Sequence, residues 1–233
     1  MGKLQEIKKA LKESANKNQA KILSSFFKTG PGQYGEGDIF WGIKVPQQRK
    51  IAKKYSTLGL TEITTLLSSP IHEQRLTALF ILVDQYKKAT DANKKKIFDL
   101  YLKNYRQINN WDLVDLSAPN IVGEYLTDKP RDILYRLAKS KNLWQNRIAI
   151  LATYALIRNN DFKDALAIIE MNLKHQHDLI HKAAGWMLRE IGKRNQKLEE
   201  QFLKKHYRQM PRTMLRYAIE KFPETKRQIY LKK

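Results

Sequence analysis

Four stretches decide how this chain folds: RLTALFILV (75–83), RIAILATYAL (147–156), KAAGWMLREI (182–191) and RYAIEKF (216–222). Each opens on a basic residue and continues in small and apolar residues at helical spacing. Their leading residues, Arg75, Arg147, Lys182 and Arg216, stand 72, 35 and 34 residues apart. The first interval is close to two units, and Trp111 falls halfway along it. A period near 35 built from helix pairs reads as an α-solenoid. The TPR and ankyrin signatures are absent. A HEAT-like array of short units fits best, although HEAT units usually run ~40–47 residues. Periodicity alone leaves an ordinary helical bundle as the alternative, because any bundle is weakly self-similar.

Outward from these runs, most of the chain carries the 3.6-residue period and no segment alternates long enough for a sheet. About a dozen or slightly more short helices are expected. The fold expected is all-α: HEAT-like helix pairs in a curved array with a basic concave face, residues 1–233 forming one domain. Ser69 followed by Pro70 reads as an N-cap with proline in the first turn of a helix over 70–88. Asn110 reads as the cap of a helix starting at Trp111, and Asp161 as the cap of one near 162–171. The stretch KTGPGQYGEGDIFWGIKVP (28–46) breaks the pattern with five glycines between Gly30 and Gly42. It reads as a loop, Gly-rich over 29–42, pinned by Tyr34, Phe40 and Trp41. Gly30, Gly32 and Gly35 fit G-x-G-x-x-G in form only, since no strand precedes them.

Composition narrows the function. Lys and Arg number 44 against 23 Asp and Glu, a net charge of +21. Such a chain suits a polyanion, because each neutralised phosphate releases counterions. A lysine-rich surface without a nucleic-acid partner is the plain alternative. The excess is uneven: residues 201–233 hold 10 basic and 2 acidic side chains, residues 151–200 hold 8 and 7. There are no cysteines, which excludes disulfides, a thiol nucleophile and thiolate zinc sites. No apolar run approaches the ~18 residues of a membrane span. The opening MGKLQEIKKALKES lacks an apolar leader core, so a cytoplasmic location is expected.

Few side chains offer chemistry. His175, His177 and His181 cluster, but zinc needs three or four supported ligands, so a solvated helix start is the better reading and no metal or cofactor is expected. The segment NNWDLVDLSAPN (109–120) is more informative. Trp111 and Asp115 are one turn apart on one helix face. Asp112 lies in the first turn, where the helix dipole accounts for it. Pro119 removes a hydrogen bond to the carbonyl of Asp115 and bends or ends the helix. The repeat puts Arg147 and Trp186 in register with Trp111, with Lys182 and Arg189 on the faces beside Trp186. Gly185 leaves room there for a backbone or a ligand. Taken singly, each residue also has a structural reading, with Trp186 in a core and Arg147 as a surface charge.

These residues resemble the AlkD family of bacterial alkylpurine DNA glycosylases, which are built from HEAT-like repeats. WDLVD (111–115), LWQNRIAIL (143–151) and GWMLRE (185–190) carry the resemblance, and GIKVP (42–46) adds to it. The resemblance implies hydrolysis of the N-glycosidic bond of N3-methyladenine and N7-methylguanine in double-stranded DNA. It implies Asp115 as the catalytic aspartate, with Trp111 and Trp186 flanking the damaged nucleotide. It implies Arg147 at the DNA backbone near the lesion and Arg189 on a further phosphate. Most glycosylases flip the base into a pocket; this family is held to leave it stacked. The Gly-rich stretch looks like an insertion, so early DNA contacts rest on charge and position alone: Lys44 and Arg49, with Lys182 further on.

The chemistry agrees. An alkylated N3 or N7 makes the purine cationic and a ready leaving group, and charge then builds on the deoxyribose. A carboxylate stabilises that charge and orients water. A non-catalytic DNA-binding relative and a protein-binding HEAT scaffold are the competing readings. A monomer is expected, because repeat units need only their neighbours.

Overall fold

The computed structural model describes residues 2–232, and among them the chain is all-α, with fourteen α-helices and no strand. It is a helical-repeat fold of stacked pairs, divided into two compact units, one up to Ser117 and one from Ala118.

The first unit holds α1 (Lys3–Glu13), α2 (Lys17–Phe26), α3 (Val45–Lys54), α4 (Leu60–Leu67), α5 (His72–Lys88), α6 (Asp91–Lys103) and α7 (Trp111–Ala118), which runs to the boundary. Helix α5 is its axis, packed against α1, α3, α4 and α6. From His72 through Val83 every residue of α5 is buried, polar ones included. A helix enclosed on all sides needs partners for its polar groups, and the Gly-rich loop supplies them. The expected start at Ser69–Pro70 is corrected. The Ser69 hydroxyl accepts the Ile71 N–H at 3.0 Å, and the helix begins at His72. The Pro70 carbonyl accepts the N–H of Ile39, whose own carbonyl accepts the N–H of His72, a single parallel bridge that docks the loop on the entrance to α5.

The second unit holds α8 (Asp132–Ala138), α9 (Leu143–Arg158), α10 (Lys163–Met171), α11 (Asp178–Gly192), α12 (Gln196–His206), α13 (Arg212–Ala218) and α14 (Glu224–Leu231). Helix α9 packs on α8, α10 and α11, and α11 packs on α12 and α13. The stretches that suggested a repeat therefore lie on α5, α9, α11 and α13, the last running into a 3₁₀ turn. Gly185 is where α11 and α13 cross: a Cβ there would stand 2.4 Å from the Met214 carbonyl and 2.6 Å from the Tyr217 Cβ. Of the two occupants the sequence allowed, this space holds a backbone. Asn142 caps α9 and Asn195 caps α12 through their side-chain oxygens. Asp161 does not cap α10: its carboxylate takes the Arg131 guanidinium, which also binds Asp164 at 2.7 Å. An ion pair satisfied on both sides outcompetes a cap on a single N–H.

Candidate functional site

Helix α7 begins where Asn110 expects it to. The Asn110 carbonyl accepts the Val114 N–H, and its side-chain oxygen accepts the Trp111 N–H at 2.8 Å. Trp111 and Asp115 follow one turn apart, both half-buried. Pro119 has no N–H for the Asp115 carbonyl, yet the helix does not stop. It widens into a π-turn over Pro119–Gly123 and continues. The Asp115 carboxylate is near enough to Tyr101 for its charge to count. Burial pushes the Tyr101 phenol well above its ordinary range, the Ser117 hydroxyl at 2.9 Å opposes this, and the charge of Asp115 adds to it.

The Trp111 indole is braced from behind. Phe27 stacks on it at 5.2 Å, Phe26 meets it edge-on at 5.9 Å, and its Nε1–H donates to the Tyr34 hydroxyl at 3.2 Å. Phe27 stacks in turn on Phe40 at 5.1 Å, and Phe40 on the His72 ring at 4.5 Å. Phe27 also meets the His72 ring directly at 5.1 Å, so His72, Phe40 and Phe27 form one cluster and Phe27 carries it on to Trp111. Phe26 itself is 61% exposed, and α2 buries no residue fully.

Beside these rings lies a set of buried charges. The His72 ring has Asp38 Oδ2 at 3.0 Å from Nδ1 and Asp112 Oδ2 at 2.8 Å from Nε2. Asp38 also accepts from Arg75 at 2.5 Å and from Asn110 at 3.2 Å. Burial alone would push His72 down, but the carboxylates of Asp112 and Asp38 outweigh it and lift the ring to about 9. Burial likewise favours a neutral Asp38, and the His72 hydrogen bond and Arg75 charge overrule it, holding the carboxyl below its ordinary value. Glu73 accepts the backbone N–H groups of Trp41, Gly42 and Ile43, closing the far end of the loop. Gly42 makes this fit possible: its φ is +80°, and a Cβ would stand 2.1 Å from the Asn16 carbonyl. The loop is therefore pinned by Tyr34 and Phe40 through side chains and by Trp41 through its backbone.

The remaining residues lie in other settings. In the second unit, the Nε1–H of half-buried Trp186 donates to Glu190 Oε1 at 3.2 Å, and its ring lies 6.1 Å from that of Tyr154. Lys193 holds the same Glu190 oxygen at 2.6 Å. Arg189 pairs with Glu220, and half-buried Lys182 with Asp178 at 2.7 Å. Arg147 is 4% exposed and donates to the Leu179 carbonyl at the start of α11. The basic residues leading the repeats differ in setting, each within its own unit. Arg75 and Arg147 turn inward to loop and helix partners, while Arg216 stays at the surface. In the first unit, Lys44 is exposed at the start of α3, and Arg49 is exposed with its guanidinium 4.1 Å over the Phe80 ring. His177 caps α11, His175 meets Asn146 at 3.2 Å, and His181 bonds the His175 carbonyl. Among the described residues no group of three or more His, Cys, Asp or Glu could hold a metal ion, and no helix is long and apolar enough to cross a membrane.

Two parts of this arrangement escaped the sequence reading. Nothing in the local sequence marks His72, and the helix dipole by itself accounts for Asp112. Asp112 does serve the first turn, accepting the Leu113 N–H at 2.9 Å, but its other oxygen holds His72. The adjacent pair Phe26–Phe27 was the available signal for an aromatic brace.

A basic helical-repeat chain with a braced tryptophan and an aspartate on one helix turn is the class that fold and site define. The family model described as DNA alkylation repair enzyme matches residues 7–222, and the chain belongs to that family. Membership places it in the repair of alkylation damage and implies interaction with DNA. Among solved structures, a predicted DNA alkylation repair enzyme from Enterococcus faecalis is similar, with a TM-score of 0.72 and 18% identity over 91% of this chain and 98% of that one. At that identity the likeness speaks for the fold. No curated protein matches.

Proposed function

We propose that the protein is a DNA glycosylase that hydrolyses the N-glycosidic bond of cationic alkylated purines, N3-methyladenine and N7-methylguanine, in duplex DNA. The observation that carries this reading is the pair on α7: a half-buried Asp115 one turn from a Trp111 whose back is fixed by Phe27 and Tyr34. As the bond breaks, positive charge builds on the deoxyribose. A carboxylate about 4 Å from that charge is worth on the order of 4 kcal/mol at an effective dielectric of 20. That corresponds to about 10³ in rate. Asp115 supplies this charge and orients the attacking water. The fixed indole face adds on the order of 1–2 kcal/mol if desolvated. A cationic base needs no acid to leave, so neutral lesions are poor substrates.

In the second unit, Trp186 serves as the other aromatic, its indole N–H held by Glu190, which Lys193 holds in turn. Arg147 acts near the lesion and Arg189 at a phosphate. Lys182, Lys44 and Arg49 are the further DNA contacts. The protein works as a monomer in the cytoplasm.

Release of 7-methylguanine from a defined duplex tests the reading. Wild type releases the base, and Asp115→Asn releases it about 10³-fold more slowly with DNA affinity kept within a few-fold. No release by either protein, with tight salt-dependent duplex binding, refutes catalysis and establishes a non-catalytic DNA-binding relative.

A further inference from the structure

We infer that His72 is a positioning residue for the α7 site: its ring, clamped between the loop residue Asp38 and the helix residue Asp112, fixes the first turn of α7 and the face of Trp111. The catalytic arm of the test below rests on the glycosylase reading; the coupling itself does not.

A neutral imidazole has one N–H and one lone pair. His72 has a carboxylate oxygen at each nitrogen, 3.0 Å and 2.8 Å away, and is 1% exposed. A neutral ring would press a lone pair against one of those oxygens with no water to intervene. The imidazolium donates to both.

The surrounding charges close the case. Asp38 comes from the loop, Arg75 lies along α5 and Asp112 lies on α7; Glu73, next to His72, turns its carboxylate to the N–H groups of 41–43. Two carboxylates then stand against His72 and Arg75, a balanced set in which burial costs least. Further along α7 is Asp115, and Tyr34 touches Trp111 from the loop. The elevated value near 9 agrees with the charged form.

His72 reaches α7 by two routes. One is the hydrogen bond to Asp112, the residue after Trp111. The other is the ring cluster, in which Phe27 meets His72 directly at 5.1 Å and through Phe40, and stacks on Trp111. Loss of the ring proton breaks one hydrogen bond and leaves a buried carboxylate facing a lone pair. The loop or the first turn must then shift, and the indole shifts with it.

The test is a pH titration of the full chain labelled with 5-fluorotryptophan, in a Tyr34→Phe background that removes the phenol from the indole. Trp111→Phe assigns the Trp111 fluorine signal, and the ¹³C signal of the ring reports His72. Between pH 6 and 10.5 the Trp111 signal is expected to move with the same midpoint as His72, near 9. In Asp112→Asn both midpoints fall together, a result that a merely space-filling ring would not give. A Trp111 signal that stays flat while His72 titrates overturns the inference, as does a His72 midpoint at or below its ordinary value. The Tyr34→Phe titration does not depend on Asp112→Asn, so a poorly folded Asp112→Asn leaves the decision with it. Single-turnover release of 7-methylguanine is then followed over the same range. It is expected to fall about ten-fold or more above the midpoint with DNA affinity unchanged. A rate that stays constant while Trp111 moves overturns the positioning role. Absence of release at every pH refutes the glycosylase reading instead, and the fluorine signal alone then decides the coupling.

Discussion

Replacing His72 by Gln has a consequence for stability that can be worked from the buried charge set. The folded-state value is about 9 against an ordinary 6.5. The difference of two to three pH units is worth about 3 kcal/mol at 1.36 kcal/mol per unit. Because the folded value is the higher one, the contribution is complete below pH 6.5 and disappears as pH rises through 9. In that window the unfolded chain has released the proton and the folded chain still holds it. Glutamine has no such proton, so only the wild type should show the slope. Urea unfolding at half-unit intervals from pH 6 to 10, followed by circular dichroism, gives both curves. The wild type minus His72→Gln difference is expected to fall by about 3 kcal/mol across the range. Taking the difference cancels every other titrating group, including Glu199. Parallel curves would refute the reasoning: His72 would then enter the fold neutral, and the bridge would be an uncharged hydrogen bond on one side only.

Glu199 is 2% exposed with Oε1 lacking a hydrogen-bond partner, and burial first, then the charge of Glu200, pushes it to about 8 against the opposing Lys226 and Arg189. Its proton stabilises the fold fully below its ordinary 4.5 and is lost through 8, so Glu199→Gln should gain on the wild type by up to about 4–5 kcal/mol across that window in the same unfolding assay. Gly185→Ala gains about 1 kcal/mol in helix propensity, but a Cβ 2.4 Å from the Met214 carbonyl meets backbone that cannot turn aside. Overpacking of about 1–3 kcal/mol or more should leave the variant less stable in a thermal melt, and a raised melting temperature would show that α11 and α13 separate freely. Arg147→Ala should weaken duplex binding and excision together and reduce the salt slope of binding. Loss of stability with an unchanged slope would instead make its role structural, as with its bond to the Leu179 carbonyl.

The parts of this molecule that were legible in the sequence are those governed by short separations. The small-apolar runs on α5, α9, α11 and α13 and the start of α7 at Asn110 follow from helical spacing and capping. The i,i+4 placement of Trp111 and Asp115 needs nothing else. Helix starts failed where a distant partner intervened: Ile39 holds the Pro70 carbonyl, and Arg131 holds Asp161. The brace of the site failed for the same reason. Asp38, His72 and Asp112 are separated by 34 and 40 residues, and no periodicity connects them. Their meeting explains what each puzzle shows in isolation. A helix buried on every side carries His72, Glu73 and Arg75 because a loop without regular structure needs anchors. That loop is rich in glycine because its backbone passes within Cβ distance of α2 at Gly42 before reaching the N–H groups that Glu73 accepts. An acid assigned to the helix dipole sits next to Trp111 because it is the last link to that anchor. The Gly-rich loop therefore needs no contact with DNA to bear on Trp111: Phe40 packs on Phe27, which stacks on the indole, and Asp38 holds His72.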